Sequence, residues 1–208
     1  MTEFYFFRHC ETEMNAQPHL IGGQSNHTPP TERGKAQARL LGDYLVEEGI
    51  VPDAVFSSGA VRTNFTARTA LETAGIPLEI RVDDRLLEMG HGDYEGRIRD
   101  EVYTPENLLK YRIAELDGKL PGGHSVLDVQ LRKRAFLDEA HGEFPAGIVF
   151  VFGHGLAIRS LAGHIKNQTK AEILAETTDN VSLTRIDVID GQPQVLFVGK
   201  DVIARESV

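Results

Sequence analysis

The chain has 208 residues, of which 41% are hydrophobic and 25% charged, and its formal net charge is −9. This length is enough for one sizeable domain with a hydrophobic core, so we expect a single domain over residues 1–208. The acidic balance argues against a broad basic face that would bind nucleic acid.

The amino terminus and the cysteine count narrow the class of protein further. Only residues 4–7 are apolar before Arg8. Because a signal peptide or a membrane span needs a much longer run, we expect a cytoplasmic protein with no membrane association. A single cysteine, Cys10, excludes an internal disulfide and cannot by itself build a thiolate metal site.

Strands and helices alternate along most of the chain. Apolar runs predict strands at residues 4–7, 53–56, 78–82 and 148–152. Helical spacing predicts helices at residues 31–48, 61–74, 105–116, 126–141 and 156–165. Thr31 is the predicted N-cap of the first helix, and Gly49 closes it. Residues 11–30 and 85–99 show no clear periodicity and are predicted as loops.

The carboxyl end predicts two further strands, residues 182–189 and 194–198, joined at Asp190 and Gly191 in a hairpin. Strands that alternate with helices indicate an α/β fold. We expect a three-layer α/β/α sandwich with a mostly parallel sheet and an antiparallel hairpin edge. That edge offers a surface for pairing, so a homodimer is an open possibility.

Basic side chains follow the predicted strands. Arg8 and His9 end the first strand, Arg62 follows the second, and His154 follows the strand at residues 148–152. Because the carboxyl ends of parallel strands share one edge of a sheet, these four side chains are predicted to converge where helices begin. Free N–H groups at helix amino termini favour an anion, and arginine binds phosphate oxygens through paired hydrogen bonds. The sequence therefore predicts a site for a phosphate dianion.

Several blocks, in order along the chain, resemble one known family. They are Arg8-His9-Cys10-Glu-Thr12-Glu-Met-Asn15, Pro30-Thr31-Glu-Arg-Gly34, Ser57-Ser58-Gly-Ala-Val-Arg62, Leu87-Glu88 with Gly92-Asp-Tyr-Glu95-Gly96, Pro121-Gly122-Gly123-His124-Ser125 and Gly153-His154-Gly155. The first is similar to the signature Arg-His-Gly-x-Thr-x-x-Asn of the histidine phosphatase superfamily, also called phosphoglycerate mutase-like. The ordered set is far more specific than any one block.

The resemblance implies a role for each matched residue. His9 would attack phosphorus and carry a phosphohistidine. Arg8, Arg62 and His154 would hold the phosphoryl oxygens, and Glu88 would protonate the leaving alkoxide and later activate water. Asn15, Ser57 and Gly155 would contact the substrate. Asn15 and Ser57 have an alternative role in capping turns. No metal and no cofactor is expected, and the partner is a small phosphorylated substrate.

Two positions depart from the family pattern. Cys10 stands where glycine is usual, which predicts a crowded turn or an altered pocket floor. A cysteine-dependent phosphatase loop is rejected, because the arginine that such a loop requires is replaced by Ala16. His124 replaces a more usual glutamate, and it either reads a second anionic group on the substrate or faces solvent. Glu95 competes with Glu88 for the role of acid.

Three functions remain open from the sequence. The first, which the resemblance favours, is hydrolysis of a small phosphomonoester, of the sugar phosphate or glycerate phosphate class. The second is a mutase-like phosphotransferase, for which the compact run at residues 85–125 leaves little room for a lid. The third is an inactive phosphate-binding module. Specificity is expected to come from residues 11–30 and 85–120.

Overall fold

In the computed structural model, which describes residues 1–203, one six-stranded sheet runs through the molecule. Its strands are β1 (Thr2–Arg8), β2 (Ala54–Ser57), β3 (Ile80–Val82), β4 (Ile148–Gly153), β5 (Leu183–Ile189) and β6 (Gln192–Lys200). The order across the sheet is β3-β2-β4-β1-β5-β6. β1 to β4 pair in parallel, whereas β5 is antiparallel to β1 and β6 to β5. The predicted fold class is confirmed.

Helices cover both faces of this sheet. The α-helices of residues 1–203 are α1 (Glu32–Glu48), α2 (Val61–Ala74), α3 (Arg99–Val102), α4 (Pro105–Lys110), α5 (Val126–Glu143), α6 (Gly155–Ile165) and α7 (Lys170–Ala175). As predicted, the Thr31 side chain caps α1 by accepting a hydrogen bond from the Gly34 N–H, and Gly49 ends it in the left-handed conformation. No helix within residues 1–203 is long and apolar enough to cross a membrane.

Alternating side chains of the central strands divide the core into two layers. Phe4 and Phe6 of β1 pack on one face with residues of α5 and α6, and Tyr5 and Phe7 pack on the other with residues of α1 and α2. β4 alternates in the same way. Because successive side chains of a strand point to opposite faces, a continuous apolar run is what a strand covered on both faces requires.

The helix predicted at residues 105–116 is wrong in its second half. α4 ends at Lys110, and residues 111–117 form turns in which Arg112 takes a positive φ of 52°. A side chain in that conformation cannot continue a right-handed helix. α3 and α7 were not predicted, since four and six residues are too short to show helical periodicity. A capping box of Thr169 and Glu172 marks the start of α7 and was the available signal.

The hairpin between β5 and β6 turns at the predicted residues. Asp190 and Gly191 have φ angles of 51° and 74°. Positive φ at both central positions is the conformation that a two-residue hairpin favours, and aspartate followed by glycine adopts it readily. The hairpin places β6 at the outer edge of the sheet, away from the ends of β1 and β4 that carry His9 and His154.

Candidate active site

A cavity of about 790 Å³ lies at the carboxyl ends of the parallel strands. Six of the predicted site residues lie on its wall: Arg8, His9, Asn15, Arg62, Glu88 and Gly155. Ser57 and His154 are fully buried and do not lie on the wall. Side chains from residues 11–30 and 85–120, the segments expected to set specificity, also lie on the wall.

His9 lies at the end of β1 with its ring held in one orientation. Its Nδ1 lies 2.7 Å from the Cys10 carbonyl oxygen. A carbonyl oxygen only accepts, so Nδ1 carries the proton and Nε2 keeps its lone pair for the cavity. Burial, with the nearby charges of Arg8 and Arg62, holds the pKa of His9 well below its ordinary value of 6.5. The ring is therefore neutral at physiological pH, as a nitrogen nucleophile must be.

His154 lies beside His9, with ring centroids 5.3 Å apart, and forms hydrogen bonds through both of its ring nitrogens. Arg62 Nε donates to His154 Nδ1 at 3.2 Å. The neutral ring consequently carries its proton on Nε2, which donates to Ser58 Oγ at 2.8 Å. The Ser58 hydroxyl then donates to Thr63 Oγ1 at 2.9 Å. Both ring nitrogens of His154 have protein partners, so in this structure His154 positions Arg62 and has no N–H left for a phosphoryl oxygen.

The two arginines nearest His9 are partly anchored and partly free. Arg8 Nη1 donates to the Thr178 carbonyl oxygen at 2.6 Å, and Arg62 Nη1 donates to the Ser25 carbonyl oxygen at 2.9 Å. Among residues 1–203, Nη2 of each arginine has no hydrogen-bond partner. Burial lowers the pKa of Arg62 to about 10, which leaves it charged at neutral pH. Anchored guanidiniums with free donors are suited to hold phosphoryl oxygens.

Gly155 makes room for Arg8. A Cβ built at Gly155 would lie 3.3 Å from Arg8 Nε and 3.1 Å from Thr178 Oγ1. These approaches are tighter than ordinary van der Waals contact, so a side chain there would require Thr178 or Arg8 to shift by a few tenths of an ångström. Crowding therefore explains why glycine follows His154. Gly155 also lies on the wall, where a contact with substrate was predicted.

Glu88 binds the amino terminus of α6. Its Oε1 accepts from the Met89 and Ala157 amides at 2.8 and 3.0 Å, and Oε2 accepts from the Leu156 amide at 3.2 Å. Free amides at the amino terminus of α6 were expected from the sequence to bind phosphate, and for Leu156 and Ala157 that expectation is wrong. Both amides donate to the Glu88 carboxylate, which holds Glu88 at the cavity wall.

Glu95, the alternative candidate for the acid, binds backbone amides away from the cavity wall. Its carboxylate accepts from the backbone amides of Gln24 at 2.9 Å, Ser25 at 3.3 Å and His91 at 3.1 Å. These bonds tie two loops together, and the side chain does not lie on the cavity wall. The geometry favours Glu88 for proton transfer.

Asn15 and Ser57 differ in their access to the cavity. Asn15 Oδ1 accepts from the Thr12 amide at 3.1 Å, and the Asn15 side chain lies on the wall with its amide nitrogen unpartnered among residues 1–203. Ser57 Oγ instead accepts from the Gly59 amide at 3.4 Å. Ser57 therefore takes the turn-capping role that was its alternative, and nothing in its position supports contact with substrate.

The two departures from the family pattern lie in different places. Cys10 is fully buried among the core residues on the α1 and α2 face, and burial raises the pKa of its thiol. The expectation that it alters the pocket floor is wrong, since the side chain is directed into the core. His124 does lie on the wall, where its Nδ1 accepts from the Gly90 amide at 3.1 Å. A neutral His124 therefore carries its proton on Nε2 and offers a donor.

Several wall residues were not predicted. They include Tyr103 and Leu108 around α3 and α4, Arg159 on α6, Lys170 on α7, and Thr178. No local pattern marks them, apart from the capping box before Lys170. Among residues 1–203, no group of three or more His, Cys, Asp or Glu side chains lies close enough to hold a metal ion.

Comparison with known proteins decides the family. The family model "Histidine phosphatase superfamily (branch 1)" matches residues 4–201. The chain belongs to the histidine phosphatase superfamily.

Proteins with different names and activities resemble the chain. It is 32% identical to a probable phosphoglycerate mutase GpmB of Photorhabdus laumondii, over 90% of this chain and 85% of the relative. It is 28% identical to phosphoserine phosphatase 1 of Hydrogenobacter thermophilus, over 94% and 91%. The structure of Bacillus stearothermophilus YhfR superposes with a TM-score of 0.85 and 25% identity, over 98% of this chain and 100% of that one. The superfamily and these likenesses support phosphatase or mutase-like chemistry.

Proposed function

We propose that the protein hydrolyses a small phosphomonoester, of the sugar phosphate or glycerate phosphate class, through a phosphohistidine on His9 and without a metal ion. The observation that carries the proposal is the state of His9. Its Nδ1–H is held by the Cys10 carbonyl oxygen, and its neutral Nε2 is available to a cavity lined by Arg8 and Arg62. A neutral imidazole fixed in this way is a competent nucleophile towards phosphorus.

The reaction divides into two transfers. In the first, His9 Nε2 forms a bond to phosphorus while the ester P–O bond breaks, and Glu88 gives a proton to the leaving oxygen. Arg8 and Arg62 balance the charge on the three remaining oxygens. In the second, water forms a bond to phosphorus, the P–N bond breaks, and inorganic phosphate leaves. Glu88 takes the proton from that water. It can do so as the carboxylate that accepts hydrogen bonds from the Leu156 and Ala157 amides.

A phosphoglycerate mutase-like transferase is the second candidate, and one observation favours it. Residues 99–120 form a small cap of α3, α4 and turns that supplies Tyr103, Leu108, Ile113 and Leu120 to the cavity wall. From the sequence, little room for a lid was expected at residues 85–125. A cap that shelters the phosphohistidine from water would let the phosphoryl group return to the substrate instead.

The deciding experiment is an assay of p-nitrophenyl phosphate turnover in the presence of a chelator, with wild type, His9→Ala and His27→Ala. His27 is exposed and lies off the cavity wall, so its variant controls for loss of a histidine. We expect turnover in wild type and His27→Ala, its loss in His9→Ala, and an acid-labile phosphoenzyme on rapid quenching.

Two other outcomes have distinct meanings. Interconversion of phosphoglycerates without release of inorganic phosphate would replace hydrolysis by the mutase. If wild type neither turns over substrate nor forms a phosphoenzyme, both enzyme functions are refuted and phosphate binding alone remains.

A further inference from the structure

Residues 179–182 form a turn that lies against the end of β1, where His9 follows the strand. The His9 carbonyl oxygen accepts two hydrogen bonds from this turn, one from Asn180 Nδ2 at 3.0 Å and one from the Val181 amide at 3.4 Å. The main chain of the nucleophile is therefore held by a segment 171 residues further along the sequence.

This turn has an unfavourable backbone conformation. Val181 is fully buried and takes a positive φ of 57°, which is rare for a β-branched residue. In this conformation the Val181 amide and the Asn180 side chain both meet the His9 carbonyl oxygen. Such a conformation persists only where the surrounding contacts fix it, and such positions cluster at functional sites.

Asn180 also reaches the loop that follows β1. Its Nδ2 donates to Asn15 Oδ1 at 3.4 Å, so one amide group bridges the His9 carbonyl oxygen and the Asn15 side chain. An amide nitrogen carries two N–H groups, one for each acceptor. His9 and Asn15 lie on the cavity wall, whereas Asn180 does not. Asn180 can therefore act on a bound substrate only through the residues that it holds.

The hydrogen bonds determine which way both side-chain amides face. The His9 carbonyl oxygen only accepts, so Asn180 presents Nδ2 to it and hence also to Asn15. The Thr12 backbone N–H only donates, and it lies 3.1 Å from Asn15 Oδ1. Because Oδ1 receives the donors of Thr12 and Asn180, Asn15 Nδ2 is left as a donor for the cavity.

We propose that Asn180 is a positioning residue, which sets the place of the Asn15 Nδ2 donor relative to the His9 nucleophile. The proposal rests on the proposed function in taking the phosphoryl group to bind beside these two residues. Thr12 orients the Asn15 amide within its own loop, and the planar amide of Asn180 ties that loop to His9. Phosphoryl transfer needs an in-line approach to phosphorus, so a shift of about 1 Å between donor and nucleophile slows it strongly.

Two anions that differ in their demand on His9 test the proposal. Inorganic phosphate needs only the donors of the cavity, whereas orthovanadate also takes an imidazole nitrogen as a ligand and then adopts the geometry of the transition state. Calorimetry on wild type and Asn180→Ala gives both dissociation constants. We expect Asn180→Ala to weaken orthovanadate binding about 10-fold and phosphate binding at most about 2-fold, because phosphate can shift together with Asn15. A general loosening of the fold would weaken both anions alike.

A double-mutant cycle assigns the effect to the bridge. In an Asn15→Ala background the bridge has lost one end, and the Val181 amide still holds the His9 carbonyl oxygen. Adding Asn180→Ala should then weaken orthovanadate binding at most about 2-fold further. Asn180→Asp keeps the size of the side chain but loses both N–H groups, so it should act in the same direction and serves if Asn180→Ala does not fold.

Asn107→Ala is the matched control. The Asn107 amide also donates to a backbone carbonyl oxygen, that of Val102 at 2.9 Å, and the side chain does not lie on the cavity wall. This variant should leave both dissociation constants unchanged.

Three results would overturn the proposal. They are equal weakening of the two anions by Asn180→Ala, no weakening of either anion, and the same loss of orthovanadate affinity with and without the Asn15 side chain. A wild type that binds neither anion would refute both this proposal and the proposed function. A wild type that shows the expected binding pattern but does not hydrolyse p-nitrophenyl phosphate would refute the proposed function alone.

Discussion

Replacing Lys133 with methionine removes an amino group that the core buries completely. Lys133 lies on α5 with none of its surface exposed, and its Nζ has no hydrogen-bond partner among residues 1–203. Its Nζ lies 5.9 Å from the centroid of the Phe6 ring. Burial lowers the pKa of Lys133 from its usual 10.5 to about 7. We expect Lys133→Met, which keeps the side-chain length, to stabilise the fold.

The stability gained by Lys133→Met, and its dependence on pH, follow from the pKa of Lys133 in the unfolded and in the folded chain. A difference of about 3.5 in pKa corresponds to about 5 kcal/mol of unfolding free energy. The unfolded chain holds the proton up to about pH 10.5, whereas the folded chain releases it above about pH 7. The destabilisation is therefore full below pH 7 and fades as the pH rises towards 10.5. Lys133→Met should gain about 5 kcal/mol at pH 6 and about 2 kcal/mol at pH 9.

Urea unfolding of wild type and Lys133→Met at pH 6 and pH 9 measures both quantities. Lys35→Met serves as the control, because its ion pair with Glu32 is solvent-exposed and its loss should change the free energy of unfolding little at either pH. A Lys133→Met protein that is less stable than wild type at pH 6 would refute the reasoning. So would a gain at pH 6 no larger than the gain at pH 9.

Three further predictions concern the site. Glu88→Gln should lower kcat for glycerol 3-phosphate by about 10²–10⁴-fold. It should lower kcat for p-nitrophenyl phosphate much less, because nitrophenolate leaves without an acid. Equal losses for the two substrates would argue against Glu88 as the acid. In a ¹⁵N NMR titration, His9 should be neutral at pH 6.5. Arg62→Gln should raise the pKa of His9, because it removes a nearby positive charge. A lower pKa of His9 in that variant would contradict the role of Arg62 in keeping His9 neutral. Cys10 should resist a thiol reagent in the folded chain and react in urea, because it is buried and burial raises its pKa; rapid labelling of the folded protein would contradict its placement.

The sequence by itself determined the fold class and the convergence of the basic side chains. Apolar runs and helical spacing are local patterns, and they located β1, β4 and the long helices to within a few residues. Once β1 and β4 are parallel neighbours, covalent continuity alone brings His9 and His154 together at one edge. The same logic placed Arg62 beside them, early in the helix that follows β2.

Only the tertiary structure decided which way the side chains at that edge point. Glu88 and Glu95 lie in one irregular segment with similar local surroundings, yet Glu88 meets the amides of α6 and Glu95 those of residues 24, 25 and 91. The Cys10 side chain is directed into the core, although the preceding residue, His9, lies on the cavity wall. Lys170 gains its place at the wall from a short helix that shows no periodicity. Such directions depend on contacts between segments distant along the chain, and a local sequence pattern carries no information about them.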